Sequence, residues 1–246
     1  MKILMHVYRS ILLILAFDFV ILTGMFVAAG IYNIIITENV ISFVNSSTFE
    51  AETNNTRYYV VKTDKEVGKV ITKNRNPLLG NNGDIFVMPV SHMDVVPLLA
   101  EFITFNIGGH AGIIADEGKT TIEAMGGRLE EAYVFTAPTD LYTETRTIIG
   151  LRVDTTLDIR NKAMEYSKTL VGKDYSYWYL TSLKDKYYCT DLCSRVYSKE
   201  NGLDFNLDAN GLICKTQDLI LNKNTFISFV KSFKNGKTNI YYLKEE

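Results

Sequence analysis

The sequence predicts an α+β domain preceded by one long apolar helix. Three observations carry this expectation. Short strand-like runs cluster between residues 84 and 153, helical patterns lie at either side of them, and residues 11–36 contain a single charge, Asp18. With 246 residues and 47% hydrophobic content, the chain can enclose a real core beside that apolar segment.

The N-terminal run from Ile11 to Ile36 is long enough to cross a bilayer core as a helix. Signal-peptide apolar regions are shorter, although Lys2, Arg9 and the small residues Val27-Ala28-Ala29-Gly30 keep a cleaved leader as the competing reading. Lys2 and Arg9 precede the run, whereas Glu38, Glu50 and Glu52 follow it. The positive-inside rule therefore predicts a cytoplasmic segment over 1–10, a transmembrane helix over 11–36, and the remaining chain outside. The protein is expected at the cell membrane, single-pass, with its main domain on the extracellular side.

Residues 37–82 read as a tether and entry region. Asn45 to Thr56 is rich in Ser, Thr and Asn, as a solvated connector is, and holds two glycosylation-type tripeptides, Asn45-Ser46-Ser47 and Asn54-Asn55-Thr56. Tyr59-Val60-Val61 and Lys69-Val70-Ile71 predict a hairpin, and Asn74 to Asn82 a loop. From residue 83 to 246 the main domain follows. Strands are expected over Asp84–Met88, His110–Ala115, Thr120–Ala124, Ala132–Phe135 and Thr147–Val153. Helices are expected over Pro97–Phe105, Thr156–Leu170 and Asp185–Tyr197.

On the last of these helices, Cys189, Leu192, Cys193, Val196 and Tyr197 share one face. Cys189 is its first inward residue, near a helix N-terminus, where free N–H groups and the macrodipole favour a thiolate and an oxyanion. A plain buried cysteine has the same pattern. His110 opens a strand. If the turn at Asp116-Glu117-Gly118 closes symmetrically, Glu123 lies directly opposite, about 5 Å away at Cβ, and can orient the imidazole. A three-residue loop with Gly118 as a bulge would turn Glu123 away. Of the three cysteines, Cys189 and Cys193 are poorly placed to pair, while Cys193 with Cys214 is open, as is a set of buried thiols. Net charge is −2 without a long basic run, which argues against a nucleic-acid partner. His6 and His92 have no metal-ligand spacing.

Taken together, the segments resemble the circularly permuted papain-like hydrolases, the NlpC-like superfamily in its YiiX-like and lecithin retinol acyltransferase-like branches. The likeness covers roughly residues 80–225. Gly83-Asp84-Ile85-Phe86 resembles the family's Gly-Asp strand, and His110-Ala111-Gly112-Ile113 its His-x-Gly-Ile strand. Ile122-Glu123-Ala124 resembles the segment of the third polar residue, and Gly172-Lys173-Asp174-Tyr175 a Gly-Lys-x-Tyr feature. Tyr188-Cys189-Thr190-Asp191-Leu192 resembles the nucleophile motif, with Thr-Asp in place of Ser-Glu. Thr216-Gln217-Asp218-Leu219 resembles a closing segment that usually holds Pro. The His-to-Glu spacing is one residue longer than usual.

The resemblance implies a permuted papain-like fold with a central antiparallel sheet packed by helices. It implies catalytic Cys189, His110 and Glu123, substrate-binding Asp84, Tyr175 and Tyr188, and no cofactor or metal. With the Lys/Asn/Ile-rich composition it also implies a bacterial cysteine hydrolase. The expected substrates are amide bonds of peptides or cell-wall peptide material. A lipid-directed acyl hydrolase or acyltransferase, and a non-catalytic binding module on the same fold, are the alternatives.

Overall fold

The computed structural model describes residues 2–65, 67, 78–88, 109–126, 132–139, 141, 143–144, 146–179, 183–208 and 213–245. The expected strand at Lys69–Ile71, the expected helix at Pro97–Phe105, residues 74–77 of the loop at 74–82, and His92 lie outside them. Within them the protein is a mixed α+β structure around a central sheet.

Helix α1 (Lys2–Asn45) extends beyond the predicted span at both ends. Among the described residues no helix is long and apolar enough to cross a membrane, so the span expected over 11–36 is not supported as such. Arg9, Ser10, Asp18, Thr23 and Asn33 punctuate the helix. What α1 does display is exposed large apolar side chains on all sides, among them Leu13, Phe17, Phe19, Val20 and Ile34. Its last turns are different. Ile36 is buried and Val40 and Phe43 are half-buried against the domain, so α1 enters the core as a continuous helix.

The connector expected after α1 is in fact structured. Strands β1 (Thr48–Thr53) and β2 (Thr56–Thr63) form a hairpin around Asn54 and Asn55, both left-handed at φ 48° and 65°. Paired left-handed residues suit the twist of a two-residue hairpin turn, and Asn adopts them at low cost. Residue 83 is therefore no structural boundary, because β2 pairs in parallel with the last strand of the domain.

The central strands are β3 (Ile85–Met88), β4 (His110–Ala115), β5 (Thr120–Met125), β6 (Tyr133–Pro138) and β7 (Ile148–Val153). They follow the predicted runs closely. Helix α2 (Leu157–Thr169) begins after Thr156, whose hydroxyl accepts from the Ile159 amide as an N-cap. Short strands β8 (Asp174–Tyr175) and β9 (Lys186–Tyr187) precede helix α3 (Cys189–Arg195), and α4 (Thr216–Ile220) precedes the long hairpin β10 (Thr225–Lys234) and β11 (Lys237–Glu245). The sheet order is β1-β2-β11-β10-β7-β3-β4-β5-β6-β8-β9. Pairing is antiparallel except at β2/β11 and β8/β9.

Alternation along the strands builds two cores. Ile85, Ala111, Ile113, Ile122, Val134 and Leu151 face the helices, where Ala163, Leu192, Val196 and Leu219 meet them. Phe86, Ile114 and Ile148 face the other way, against Tyr58, Phe229 and Ile240 of the outer hairpins. The middle strands are thus buried on both faces and read as near-continuous apolar runs.

Candidate active site

Helix α3 starts four residues later than its periodicity suggests. Asp185 is left-handed at φ 60°, and Lys186–Tyr187 is drawn into pairing with β8. The consequence is that Cys189 is the first helical residue rather than one turn inside. The first helical hydrogen bond runs from the Leu192 amide to the Tyr188 carbonyl at 2.8 Å, so the Cys189 and Thr190 amides are not spent on the helix ladder. Cys189 is buried, at 9% exposure.

The helix is pinned at both ends. The Thr190 hydroxyl donates to the Cys214 carbonyl at 2.6 Å, and the Cys214 amide donates to the Tyr188 hydroxyl at 2.9 Å. At the other end Arg195 bonds Glu200, Asp191 and the carbonyls of Leu183 and Lys186, and lies 3.9 Å over the Tyr187 ring. Leu192, Cys193, Val196 and Tyr197 anchor the inner face. All three cysteines are free and buried, and burial pushes the thiols of Cys193 and Cys214 up.

His110 begins β4, and its Nε2 donates to Glu123 Oε2 at 2.6 Å. The strand register is not the one expected. Glu123 is opposite Gly112, not His110, because the connection between Ala115 and Thr120 is four residues long. The offset is two residues, so Glu123 stays on the His110 face and reaches it diagonally. Gly112 makes that reach possible. A Cβ there would lie 2.8 Å from Glu123 Cγ and 2.5 Å from the Phe86 ring. Thr121, buried on the same face, donates to the second Glu123 oxygen. It went unnoticed in the sequence, where a Thr two residues before the Glu on one strand face was the available signal.

With Nε2 committed to Glu123, the other ring nitrogen is left over, and Cys189 interacts with the same imidazole. Burial pushes His110 down, but the bonds to Cys189 and Glu123 outweigh it and raise the imidazole to about 10. Burial likewise pushes Glu123 up, and the His110 bond and charge with the Thr121 bond hold its carboxyl below the usual value. The three side chains expected from sequence are therefore brought together, His110 bonded to Glu123 and interacting with Cys189.

The other three expected residues divide. Tyr175 is half-buried beside the site, and burial, with the Cys189 charge next, pushes its phenol well up. Asp84 does not reach the site. It is fully buried, bonded to Arg152 through both carboxylate oxygens at 2.7 and 2.6 Å, and it accepts the Asn81 amide. Its role is to neutralise a buried guanidinium. Tyr188 is 3% exposed and its hydroxyl is spent on Cys214, so it fixes the helix start instead of contacting substrate.

Residues 94–209 match the model of a family described as permuted papain-like amidase enzyme, YaeF/YiiX, C92 family. The match takes in His110, Glu123, Tyr175 and Cys189 and spans just under half of the chain. No curated protein matches the chain.

Proposed function

We propose, from the likeness of residues 94–209 to the permuted papain-like amidases, that this protein is a cysteine amidase using Cys189, His110 and Glu123. The observation that carries the reading is His110 hydrogen-bonded to Glu123 at 2.6 Å, with Cys189 close enough to raise the same imidazole. A thiol at the first residue of a helix, beside an oriented imidazole, is the arrangement covalent acyl transfer needs.

The steps balance as follows. Cys189 gives its proton to His110, and the thiolate attacks the amide carbonyl. The Cys189 and Thr190 amides donate to the resulting oxyanion. The C–N bond breaks as imidazolium returns the proton to the leaving amine, which leaves a thioester on Cys189. Water then attacks the thioester with His110 as base, the C–S bond breaks, and the carboxylic acid and thiol are released. Glu123 holds the imidazole in orientation and stabilises its charged form.

The substrates proposed are amides of peptides or cell-wall peptide material. Attachment to a cell membrane, with the domain on the extracellular side, is part of the same proposal. Its support is the exposed apolar surface of α1 and the charge asymmetry around it.

Alkylation tests the site directly. Iodoacetamide should label Cys189 faster than Cys193 or Cys214, and His110→Ala should slow Cys189 at least about tenfold. Turnover of a peptidoglycan digest should disappear in Cys189→Ser. Equal, slow labelling of all three thiols would overturn the amidase reading.

A further inference from the structure

Residues 94–209 carry the family likeness, and a second concavity lies wholly outside them. It is a cavity of about 410 Å³ lined by Arg57, Tyr59, Lys234, Lys237, Asn239 and Tyr241, with Asn235 beside them. Strand pairing explains why these side chains meet. Arg57 is opposite Asn239 and Tyr59 opposite Tyr241 across β2 and β11, and Lys237 is opposite Lys234 across β11 and β10. They share one sheet face, while the intervening Tyr58, Ile240 and Tyr242 turn to the core. Strand β11 lies four strands from β4, which sets the cavity roughly 19 Å across the sheet from His110.

The lining is of three kinds. Tyr59 and Tyr241 stack with ring centroids 4.7 Å apart and planes at 19°, and exposed Phe49 meets Tyr59 edge-on at 5.7 Å. Asn239 is only 8% exposed, yet its side-chain amide bonds no protein group among the described residues. A buried amide without a protein partner is costly, and one that lines a cavity is served by whatever fills it. Three cations line the cavity and no described carboxylate does. Glu52 of β1 holds two of them from outside, Arg57 at 3.0 Å and also Lys237, whereas Lys234 has no acidic partner among the described residues. The rim is tied as well: Asn55 Nδ2 donates to the Gly236 carbonyl at 2.6 Å and so joins the two hairpin turns.

We propose that this cavity binds an anionic saccharide, a sugar ring carrying a carboxylate or a phosphate. The proposal goes beyond the amidase reading and does not rest on it. The tyrosines favour a sugar over a planar base. They stack on each other, so no gap opens for a base to slip between them, and their free surface fits the C–H face of a pyranose. Asn235 and Asn239 each bring a donor and an acceptor, the combination that a sugar hydroxyl needs. Arg57, Lys237 and Lys234 select the charge, through charge-assisted bonds to the acidic substituent. The size also agrees, since small-molecule sites span about 300–1,000 Å³.

The experiment titrates the full chain with methyl glucoside, glucuronic acid, glucose phosphate and inorganic phosphate, with binding followed by NMR. At least one anionic sugar should bind at least about fivefold tighter than the neutral glucoside, and the tighter of the two tells a carboxylate ligand from a phosphate. Lys234→Gln, at an exposed position, should bring that ratio to within about twofold. Tyr241→Ser should weaken every sugar at least about fivefold, whereas Tyr241→Phe, which keeps the ring, should not. Melting temperature and the iodoacetamide rate of Cys189 report that each variant is folded. Cys189→Ser should bind the sugars as the wild type does, because the two sites are separate. Absence of sugar binding, equal affinity for neutral and anionic sugars, or affinities unchanged in Lys234→Gln and Tyr241→Ser overturns the proposal. So does inorganic phosphate or adenosine monophosphate binding as tightly as the better anionic sugar. None of these outcomes touches the amidase reading, which turnover in Cys189→Ser decides.

Discussion

At Gly112 the backbone itself is the floor on which the Glu123 side chain lies. Gly112→Ala puts a methyl 2.8 Å from Glu123 Cγ and 2.5 Å from Phe86, so one of them must move. Overpacking of this kind costs about 1–3 kcal/mol, and displacement of Glu123 is expected to slow Cys189 alkylation as well as lower the melting temperature. Glu123→Gln keeps the shape and removes the charge. It should lower the imidazole pKa, moving the alkaline limb of the kcat/KM profile to lower pH and reducing the rate at least about tenfold. A limb that stays in place would detach Glu123 from the base. Stability follows the same proton. His110 is raised from 6.5 in the unfolded chain to about 10 when folded, so its contribution is complete below pH 6.5 and fades as pH climbs toward 10. Melting temperatures of wild type and His110→Gln should converge across that window. Asp84→Ala tests the buried pair: a guanidinium stripped of its counter-charge costs about 3–5 kcal/mol, whereas replacing Asp84 and Arg152 together by apolar residues should recover much of it. The residue types and order of the candidate site could be picked out in the sequence because they resemble family motifs. The roles of Asp84 and Tyr188 could not, since a motif records that a residue is required without saying whether it faces substrate or a buried guanidinium.

Among elements, the central strands and α2 matched their sequence patterns, because apolar runs bounded by turn residues and an N-cap Thr are local signals. What depends on pairing did not. The start of α3 is set by β8 drawing Lys186–Tyr187 into the sheet, and the β4–β5 register by three consecutive left-handed residues, Asp116, Glu117 and Gly118. The hairpin of β10 and β11 was missed although Asn235-Gly236 is its signature, with φ 55° and 72°. That turn offers a clean measurement. A Cβ at Gly236 would meet nothing within 4 Å, so Gly236→Ala carries only the backbone penalty of a left-handed residue, about 1–2 kcal/mol. The shift should appear in the denaturant midpoint with no change in Cys189 reactivity.

For the whole molecule, the open sheet is held together by chain order as much as by packing. The first hairpin adds to the last strand, β2 beside β11, so residues long before the candidate site complete the sheet that carries it. Deleting residues 2–30 should leave the fold and the thiol reactivity intact. Deleting through residue 45 also strips Ile36, Val40 and Phe43 from the two cores, and a clear loss of melting temperature is expected. Equal stability of the two truncations would mean that the docked turns contribute nothing.

That docking has a mechanical corollary. From Ile21 to Ile36 the helix rises about 22 Å without a break, and its far end is clamped between layers of the globule. A rod held this way fixes stand-off height and heading together. Under the proposed attachment, a grip on its apolar end would point the candidate site in one direction, and targets would enter at one elevation rather than over the full sweep a slack leash would permit.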